Sequence, residues 1–256
     1  MKKMEIIKNA WLEAYQEMAQ MKPFQMLRSG ELTKEHYIAM LRQIFHQVRE
    51  HPQALAMMSV RLRGDQRDMI GTILRHAVSE VGHDNLALKD MAVLGVNIED
   101  ISSERPLPST SAILGFMYSL LNYDNPVSFL GYLFHLEFLP THAGAGYMEA
   151  LLKAGVPAEA MTFIQDHAKI DVAHNQLMEK YVGKMVQTED DLESVIYAAR
   201  TTAILYGRMH EEAIDRAGKA SKPQYGLNRV EKERANIGSL QARARESGDQ
   251  PVHLPA

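Results

Sequence analysis

The sequence predicts an all-α protein, built as a single bundle of about seven or eight helices. Apolar residues recur at helical spacing through most of the chain before Gly218. Glycine and proline divide these segments into lengths typical of globular helices. No segment convincingly alternates apolar and polar residues as a half-buried strand does. With 256 residues, 46% of them hydrophobic, the chain is long enough to bury one large core.

In the first half of the chain, helix ends are marked by proline, glycine and threonine. An amphipathic segment is stopped by Pro23, and a short helix after it ends at Gly30. Thr33 is the expected N-cap of a long helix that Pro52 kinks. We expect helices over residues 4–21, 24–28, 33–63 and 66–94, the last with Gly95 as its C-cap.

The second half begins with a Pro- and Ser-containing loop over residues 97–110. The helix that contains Glu137 is expected to bend at Pro140, and Thr188 with Asp191 forms a capping-box pattern. The expected helices cover residues 112–123, the segment after Pro126, 157–185 and 188–217. Residues 1–218 are thus one helical domain, and the polar residues 219–256 are expected to be a mobile tail.

Composition excludes several functional classes. The net charge of −4 gives no basic excess for nucleic acid or an anionic membrane, and no segment approaches membrane-spanning length. The N-terminal segment is amphipathic and contains acids, unlike a secretory signal, so we expect a cytoplasmic protein. The chain has no cysteine, which removes disulfides, thiolate metal sites and every mechanism with a cysteine nucleophile.

A polar stripe on the helix over residues 157–185 is the strongest functional signal. Asp171 follows His167 by four residues and His174 follows Asp171 by three, so on a helix all three stand on one face. The residues between them are mostly apolar. A helix presents metal ligands in this way, although a single histidine on an apolar helix is more often a satisfied core residue.

Two further segments can complete a metal site. Glu80 and His83 have the Glu-x-x-His spacing by which di-iron and di-manganese bundles supply one oxygen and one nitrogen ligand. Glu137 interrupts an apolar run, where a carboxylate has to be paired, coordinated or protonated. Taken singly, the first pair also fits a solvated helix face, and Glu137 a buried pair with arginine. Together with the stripe, they predict a centre of three carboxylates and three imidazoles, suited to iron or manganese, with zinc as an alternative.

This combination resembles the haem-oxygenase-like di-iron oxidases, iron-containing redox enzymes with the fold of haem oxygenase and thiaminase II. The resemblance covers about residues 20–215. It implies two Fe²⁺ ions, with manganese or a mixed pair as alternatives, and O2 as co-substrate. The residues that carry the resemblance, and that it implies to be metal ligands, are Glu80, His83, Glu137, His167, Asp171 and His174.

The resemblance also implies an activity: O2-dependent oxidation of a small carboxylate-bearing substrate, by C–H or C–C cleavage or N-oxygenation. Family members act on fatty acids and on amino acids, and the Glu-x-x-His spacing is nearer the alkene-forming fatty-acid decarboxylase. Other members place an acid seven residues before the histidine, where this chain has His76. His76 is therefore expected either behind the ligands or as a spare ligand, and Asp84, next to His83, either behind the ligands or in solvent. We expect a homodimer that acts on a small molecule, with an electron donor as a further partner.

Other side chains are candidates for roles around the centre. The histidines that can support the ligands or bind haem are His46, His51, His135 and His142. A substrate carboxylate is expected to meet Tyr206 and Arg208. The apolar residues that either line a substrate pocket or belong to the core are Phe134, Leu136, Phe138, Phe163 and Ile164.

Three other functional classes share the implied fold. A thiaminase-like enzyme depends on a cysteine nucleophile, which this chain lacks. A haem oxygenase needs a histidine on an early helix, for which His36, His46 or His51 is available, but it leaves the six-residue combination without a purpose. A non-catalytic binding protein of the same fold is expected to have lost the acids and histidines. A haem-binding oxygenase and a non-catalytic ligand-binding protein are thus the alternatives to a di-iron oxidase.

Overall fold

Ten α-helices account for most of the residues that the structure describes, in agreement with the predicted all-α class. The computed structural model describes residues 2–217, and this part of the chain contains no β-strand. The helices are α1 (Lys2–Ala19), α2 (Lys22–Ser29), α3 (Lys34–Val48), α4 (His51–Arg61), α5 (Ile70–Ser79), α6 (Asp84–Val93), α7 (Pro108–Asn122), α8 (Phe129–Lys153), α9 (Thr162–Met185) and α10 (Glu189–Arg216). The tail predicted over residues 219–256 lies outside the described residues.

The helices belong to one compact unit, which comprises residues 2–102 and 106–217 of the described chain. Residues 103–105 are grouped with a second unit whose other residues are not described. In the first unit, α10 packs against α1, α3, α7 and α8. At Gly131 in α8, an added Cβ would lie only 2.1 Å from the carbonyl oxygen of Val195 in α10. Only glycine permits this close approach, which fixes α8 against α10.

Two of the predicted helices are each divided in the structure, so the described residues form more helices than the seven or eight expected. The long helix kinked at Pro52 is two helices, because α3 ends at Val48 and Pro52 lies in the first turn of α4. The segment predicted as one helix over residues 66–94 forms a 3₁₀ helix, α5 and α6. Gly82 has φ of +94°, which L side chains rarely adopt, so the chain turns between Glu80 and Asp84.

Several helix ends follow the predicted signals. Thr33 caps α3 and Thr188 caps α10, each in a capping box. The partner of Thr33 is His36, whose Nδ1 accepts the Thr33 backbone N–H at 3.1 Å. His36, one of the candidate haem ligands, therefore stabilises a helix end. Asp84 lies in the first turn of α6, where the helix dipole favours a carboxylate.

The start of α9 is held by a carboxylate from α6. Asp90 is fully buried, and its oxygens accept hydrogen bonds from the backbone N–H and hydroxyl of Thr162 and from the N–H of Phe163, at 2.6–2.9 Å. The N-cap residue of α9, Met161, provides no side-chain cap. Asp90 thus satisfies N–H groups that the helix cannot satisfy itself, and it fixes α9 against α6. None of the described helices has the length and apolar character needed to cross a membrane.

Candidate metal centre

Six side chains from α5, the turn after it, α8 and α9 form two adjacent groups of potential metal ligands. In each group the ligand atoms lie within 4.8 Å of one another. One group contains His76, Glu80, Glu137 and His174, and the other contains Glu80, His83 and His167. Five of the six predicted ligands are therefore brought together from three distant segments, and His76 joins them.

Glu80 belongs to both groups, and its two oxygens face in different directions. Oε1 lies 3.6 Å from His76 Nε2 and 3.5 Å from His174 Nδ1. Oε2 lies 3.1 Å from His83 Nδ1. The side chain is held at this point because Glu80 is the C-cap residue of α5, directly before the turn at Gly82. A carboxylate placed in this way can bridge two cations.

Glu137 connects the two histidines of the first group. Its Oε1 lies 3.2 Å from His76 Nε2, and its Oε2 lies 2.9 Å from His174 Nδ1. Glu137 is buried in the third turn of α8, among the apolar residues that the sequence places around it. Its predicted alternative, a pair with arginine, is not seen among the described contacts, since its partners are the two imidazoles.

Several atoms of the two groups lack a hydrogen-bond partner in the described part of the chain. They include His76 Nε2, His83 Nδ1 and Glu80 Oε1, all of which are buried. A buried polar atom without a partner is costly, and native proteins contain few of them. Divalent cations in the two groups would satisfy these atoms, and imidazole with carboxylate is a donor set that suits iron or manganese. The residues therefore fit a bound metal.

Two imidazoles are oriented by contacts on the side away from the group. His167 Nδ1 lies 2.7 Å from the carbonyl oxygen of Phe163, to which it can donate, which leaves Nε2 free for a metal. His76 Nδ1 lies 3.4 Å from the hydroxyl of Tyr181, whose ring stacks on that of His76. Such outer contacts are typical of metal-binding histidines.

Asp171, the sixth predicted ligand, lies beside the first group but belongs to neither. Its side chain is 1% exposed, its Oδ1 is 3.4 Å from His174 Nδ1, and both its oxygens lack a hydrogen-bond partner within residues 2–217. Burial raises the pKa of this carboxyl to about 8. Its burial and its oxygens without hydrogen-bond partners are what a metal ligand requires, but it is in neither group of close ligand atoms, so its assignment stays a prediction.

Protons and carboxylates are strongly coupled in the metal-free centre. Burial alone would raise the pKa of Glu137, but the imidazoles of His174 and His76 next to its oxygens lower it to about 2. The pKa of His174 is lowered by burial, but the carboxylates of Asp171 and Glu137 outweigh this and raise it to about 10. The pKa of Glu80 is also lowered, since His76 and His83 outweigh the effect of burial. A bound cation would take the place of these protons.

His76, expected either behind the ligands or as a spare ligand, lies among the grouped side chains. A signal for this is present in the sequence: residues 76–83 read His-Ala-Val-Ser-Glu-Val-Gly-His and residues 167–174 read His-Ala-Lys-Ile-Asp-Val-Ala-His. The same His-Ala-x-x-acid-Val-x-His spacing thus occurs twice. The first histidine of each segment faces the last of the other, with ring centroids 4.3 Å apart for His76 and His174 and 5.0 Å apart for His83 and His167.

The other candidate histidines are dispersed. His51 is buried, with Nδ1 4.0 Å from Glu80 Oε2, so it borders the second group. His135 accepts a hydrogen bond from Trp11 Nε1 at 3.0 Å, on the other side of α8 from Glu137. His46 packs against Phe45, and His142 is exposed.

The predicted pocket residues are divided between a cavity and the core. Phe163 and Ile164 line a cavity of about 360 Å³, together with Tyr206. The other three residues pack in or against the core around Trp11; they are Phe134, Leu136 and Phe138. Arg208, expected to meet a substrate carboxylate, is exposed and paired with Glu211, because it points away from the bundle.

Fold and site together define an all-α bundle with a buried centre of imidazoles and carboxylates. Residues 38–207 match the family model of the iron-containing redox enzymes, and the chain belongs to this family. This agrees with the family that the sequence motifs indicate. Among curated proteins, none matches the chain.

Solved structures confirm the haem oxygenase-like fold. A domain of unknown function with this fold from Shewanella denitrificans superposes with a TM-score of 0.74 at 22% identity, over 88% of this chain and 98% of that one. A TenA homologue from Pseudomonas syringae superposes with a TM-score of 0.70 at 16% identity, over 82% of this chain and 92% of the homologue. A CADD-like protein of unknown function from Nostoc punctiforme superposes with a TM-score of 0.58 at 18% identity, over 83% of this chain and 99% of that protein. At these identities the likeness shows the fold alone.

Proposed function

We propose that this protein is a non-haem, O2-dependent oxidase or oxygenase whose centre holds two iron ions and whose substrate is a small carboxylate-bearing molecule. The observation that carries the proposal is the position of Glu80, whose two oxygens face two separate groups of imidazoles. A carboxylate that bridges two metals is how helix bundles assemble di-iron and di-manganese centres. The same ligands also suit two manganese ions or a mixed pair of metals, which are the alternatives to two iron ions.

In this proposal, the ligands divide between the two metals around Glu80. His76, Glu137 and His174 hold one ion, and His83 with His167 holds the other. Asp171 is expected to complete the first set from its place beside His174. Three carboxylates against two Fe²⁺ ions leave a net charge of +1, which favours binding of an anionic substrate group nearby.

Iron bound here would supply electrons and open coordination positions for the activation of O2. The protein's own residues orient the ligands and limit the access of water. Hydrogen bonds to Phe163 and Tyr181 hold the rings of His167 and His76. His83 is the most accessible of the six grouped side chains, with 14% of its side chain exposed. Oxidised iron has to be returned to the ferrous state, so an electron donor is part of the proposal.

Metal analysis of protein loaded with Fe²⁺ without oxygen, followed by O2 and optical detection, tests this function. We expect about two irons per chain and a transient visible absorption band. The variant His174→Ala should lose iron, whereas His142→Ala, which changes an exposed histidine outside both groups, should keep it. Failure to take up iron, or uptake that His174→Ala leaves unchanged, would show that the proposal is wrong.

A further inference from the structure

A cavity of about 360 Å³ lies between α1, α2, α3, α8, α9 and α10, apart from the candidate metal ligands. The exposed residues among those that line it include Arg28, His142 and Gly146, from which we infer that its mouth lies at this surface. Its wall is rich in aromatic and imidazole rings, which include those of Tyr15, Tyr37, Tyr147, Phe163, Tyr206 and His210. At about 30 Å³ for each water-sized group, the cavity holds about a dozen non-hydrogen atoms, the low end of a small-molecule site.

Neutral hydrogen-bonding groups face this cavity without partners. Tyr147 and Tyr206 are half-buried and line the cavity, and burial raises the pKa of both phenols, so both hydroxyls keep their protons at neutral pH. Neither hydroxyl has a hydrogen-bond partner among the described contacts. His210 also lines the cavity and is 2% exposed, and burial lowers its pKa to about 3, so its imidazole is neutral. A ligand group that donates and accepts hydrogen bonds would satisfy these atoms.

The cavity offers little to a buried charge. Among the described residues that line it there is no aspartate, glutamate or lysine, and Arg28 stands exposed at the mouth. Burial of an ammonium group without a carboxylate partner is strongly unfavourable. The cavity is therefore poorly suited to the charged α-amino group of an amino acid.

Phe163 joins the cavity to the candidate metal centre. Its side chain lines the cavity, and its ring lies 4.2 Å from the ring of His167 between centroids. Its carbonyl oxygen is also the partner of His167 Nδ1. A molecule in the cavity that contacts Phe163 is thus separated by a single ring from a proposed metal ligand.

We propose that this cavity binds the uncharged body of the substrate: a mainly apolar group of about a dozen non-hydrogen atoms, with one neutral hydrogen-bonding group held by Tyr147, Tyr206 and His210. That the bound molecule is the substrate rests on the function proposed above, but binding in the cavity requires no metal. The proposal selects a substrate whose body is apolar or carries a neutral polar group over one whose body carries a charged amino group.

The single tryptophan of the chain provides a probe for this binding. Trp11 is fully buried, stacks on Tyr15 at 5.3 Å and meets the ring of His142 at 5.4 Å, and both of these residues line the cavity. Metal-free protein is titrated with nonan-1-ol and with nonylamine, which differ only in a neutral or a cationic end group at pH 7. Tryptophan emission and isothermal titration calorimetry follow binding. We expect nonanol to bind saturably and nonylamine to bind at least tenfold more weakly.

Two pairs of variants locate the site. Tyr206→Phe should weaken nonanol binding about three- to tenfold, the effect of one neutral hydrogen bond. Tyr37→Phe is the matched control, because the Tyr37 hydroxyl already donates to the carbonyl of Ala160 at 3.2 Å. Gly146→Phe should block the mouth and weaken binding at least tenfold. Its control is Gly115→Phe, since Gly115 is also a helical glycine with open space at its Cβ but does not line the cavity.

Equal binding of nonanol and nonylamine, no saturable binding of nonanol, or equal effects within each pair of variants would overturn the inference. Because the titration uses metal-free protein, it is independent of the di-iron proposal. Saturable nonanol binding in a protein that takes up no iron would leave the cavity assignment standing and remove the proposed function. Iron uptake without nonanol binding would do the reverse.

Discussion

His76 and His174 face each other across the candidate centre, with ring centroids 4.3 Å apart and planes inclined by 52°. Glu137 lies between their nitrogens, 3.2 Å from His76 Nε2 and 2.9 Å from His174 Nδ1. One histidine comes from α5 and the other from α9, so the contact joins segments 98 positions apart in the chain. The pair is held by a carboxylate that can serve a proton or a metal, and this competition underlies the predictions for metal binding.

Replacement of His76 with phenylalanine should remove one metal and leave the other. The ring would still pack on Tyr181, but the nitrogen toward Glu80 and Glu137 would be lost. Loss of a residue that only hydrogen-bonds to a metal ligand typically lowers metal affinity ten- to hundredfold. Because His76 is proposed to be a ligand itself, we expect iron affinity at one site to fall by at least this factor. Anaerobic iron titration against a competing chelator measures it. His142→Phe is the control, and unchanged affinity at both sites would argue against His76 as a ligand.

Replacement of Glu80 with glutamine should affect both metals. Its two oxygens face different groups, so the loss of its charge weakens both sites, whereas Glu137→Gln removes a ligand from one. We expect less than one iron per chain in Glu80→Gln and about one in Glu137→Gln. Metal analysis after gel filtration gives the ratio. Glu179→Gln, which changes an exposed acid on α9, should retain two. If the Glu80 and Glu137 variants retain the same amount of iron, Glu80 is not a bridge.

Iron affinity should rise with pH. The Asp171 and Glu137 carboxylates hold the pKa of His174 at about 10, so this imidazole carries a proton at neutral pH that a metal has to displace. Displacement of this proton makes the affinity for the ion at His174 about tenfold higher per pH unit, and displacement of the proton that Asp171 carries below its pKa of about 8 makes the slope steeper. Titrations at pH 6, 7 and 8 measure the slope, and calorimetry in buffers of different ionisation enthalpy counts released protons. An affinity independent of pH would mean that the imidazole is neutral before the metal binds.

Replacement of Asp90 with alanine should loosen the start of α9. This buried carboxylate accepts three hydrogen bonds from Thr162 and Phe163, and no other side chain caps the helix. We expect a loss of about 2–4 kcal/mol in the free energy of unfolding, from urea denaturation. Thr162→Val, which removes one hydroxyl donor, should cost about 1 kcal/mol. A change below about 0.5 kcal/mol for Asp90→Ala would show that the cap is not needed for stability.

The helical class and the chemistry of the centre could be predicted because they depend on local spacing. The offsets between His167, Asp171 and His174 place all three on one helix face. Thr33 and Thr188 indicate helix starts through local capping, which does not depend on tertiary structure. The division at Gly82 was harder to predict, because a glycine within a helical pattern is compatible with both a continuous helix and a turn.

The contribution of His76 depends on tertiary structure. Its distance from Glu137 is set by how α5 packs against α8 and α9, which no local pattern specifies. The repeated His-Ala-x-x-acid-Val-x-His spacing was the available signal, but it becomes informative only once the two segments are seen to face each other. The cavity is likewise formed by six helices, and among its lining residues only Phe163, Ile164 and Tyr206 were proposed from the sequence to meet a substrate.

Acid should destabilise the protein through histidines outside the centre. Burial lowers the pKa of His135 and of His210 to about 3, so both are neutral in the folded state. In the unfolded chain each titrates near pH 6.5. Between pH 6.5 and 3 the unfolded chain therefore binds protons that the folded chain does not, and stability falls with pH by about 1.4 kcal/mol per unit for each histidine.

The variant His135→Asn isolates one of these contributions. Asparagine keeps a side-chain acceptor for Trp11 Nε1 but does not titrate in this range. We expect the variant to be less stable than the wild type at pH 7.5, since the buried ring is lost. Its further loss of stability between pH 7.5 and 5.5 should be smaller by about 1.4 kcal/mol. Urea unfolding of metal-free protein at both pH values measures this, with the exposed His142→Asn as control. An equal loss in His135→Asn and wild type would mean that His135 is protonated in the folded protein.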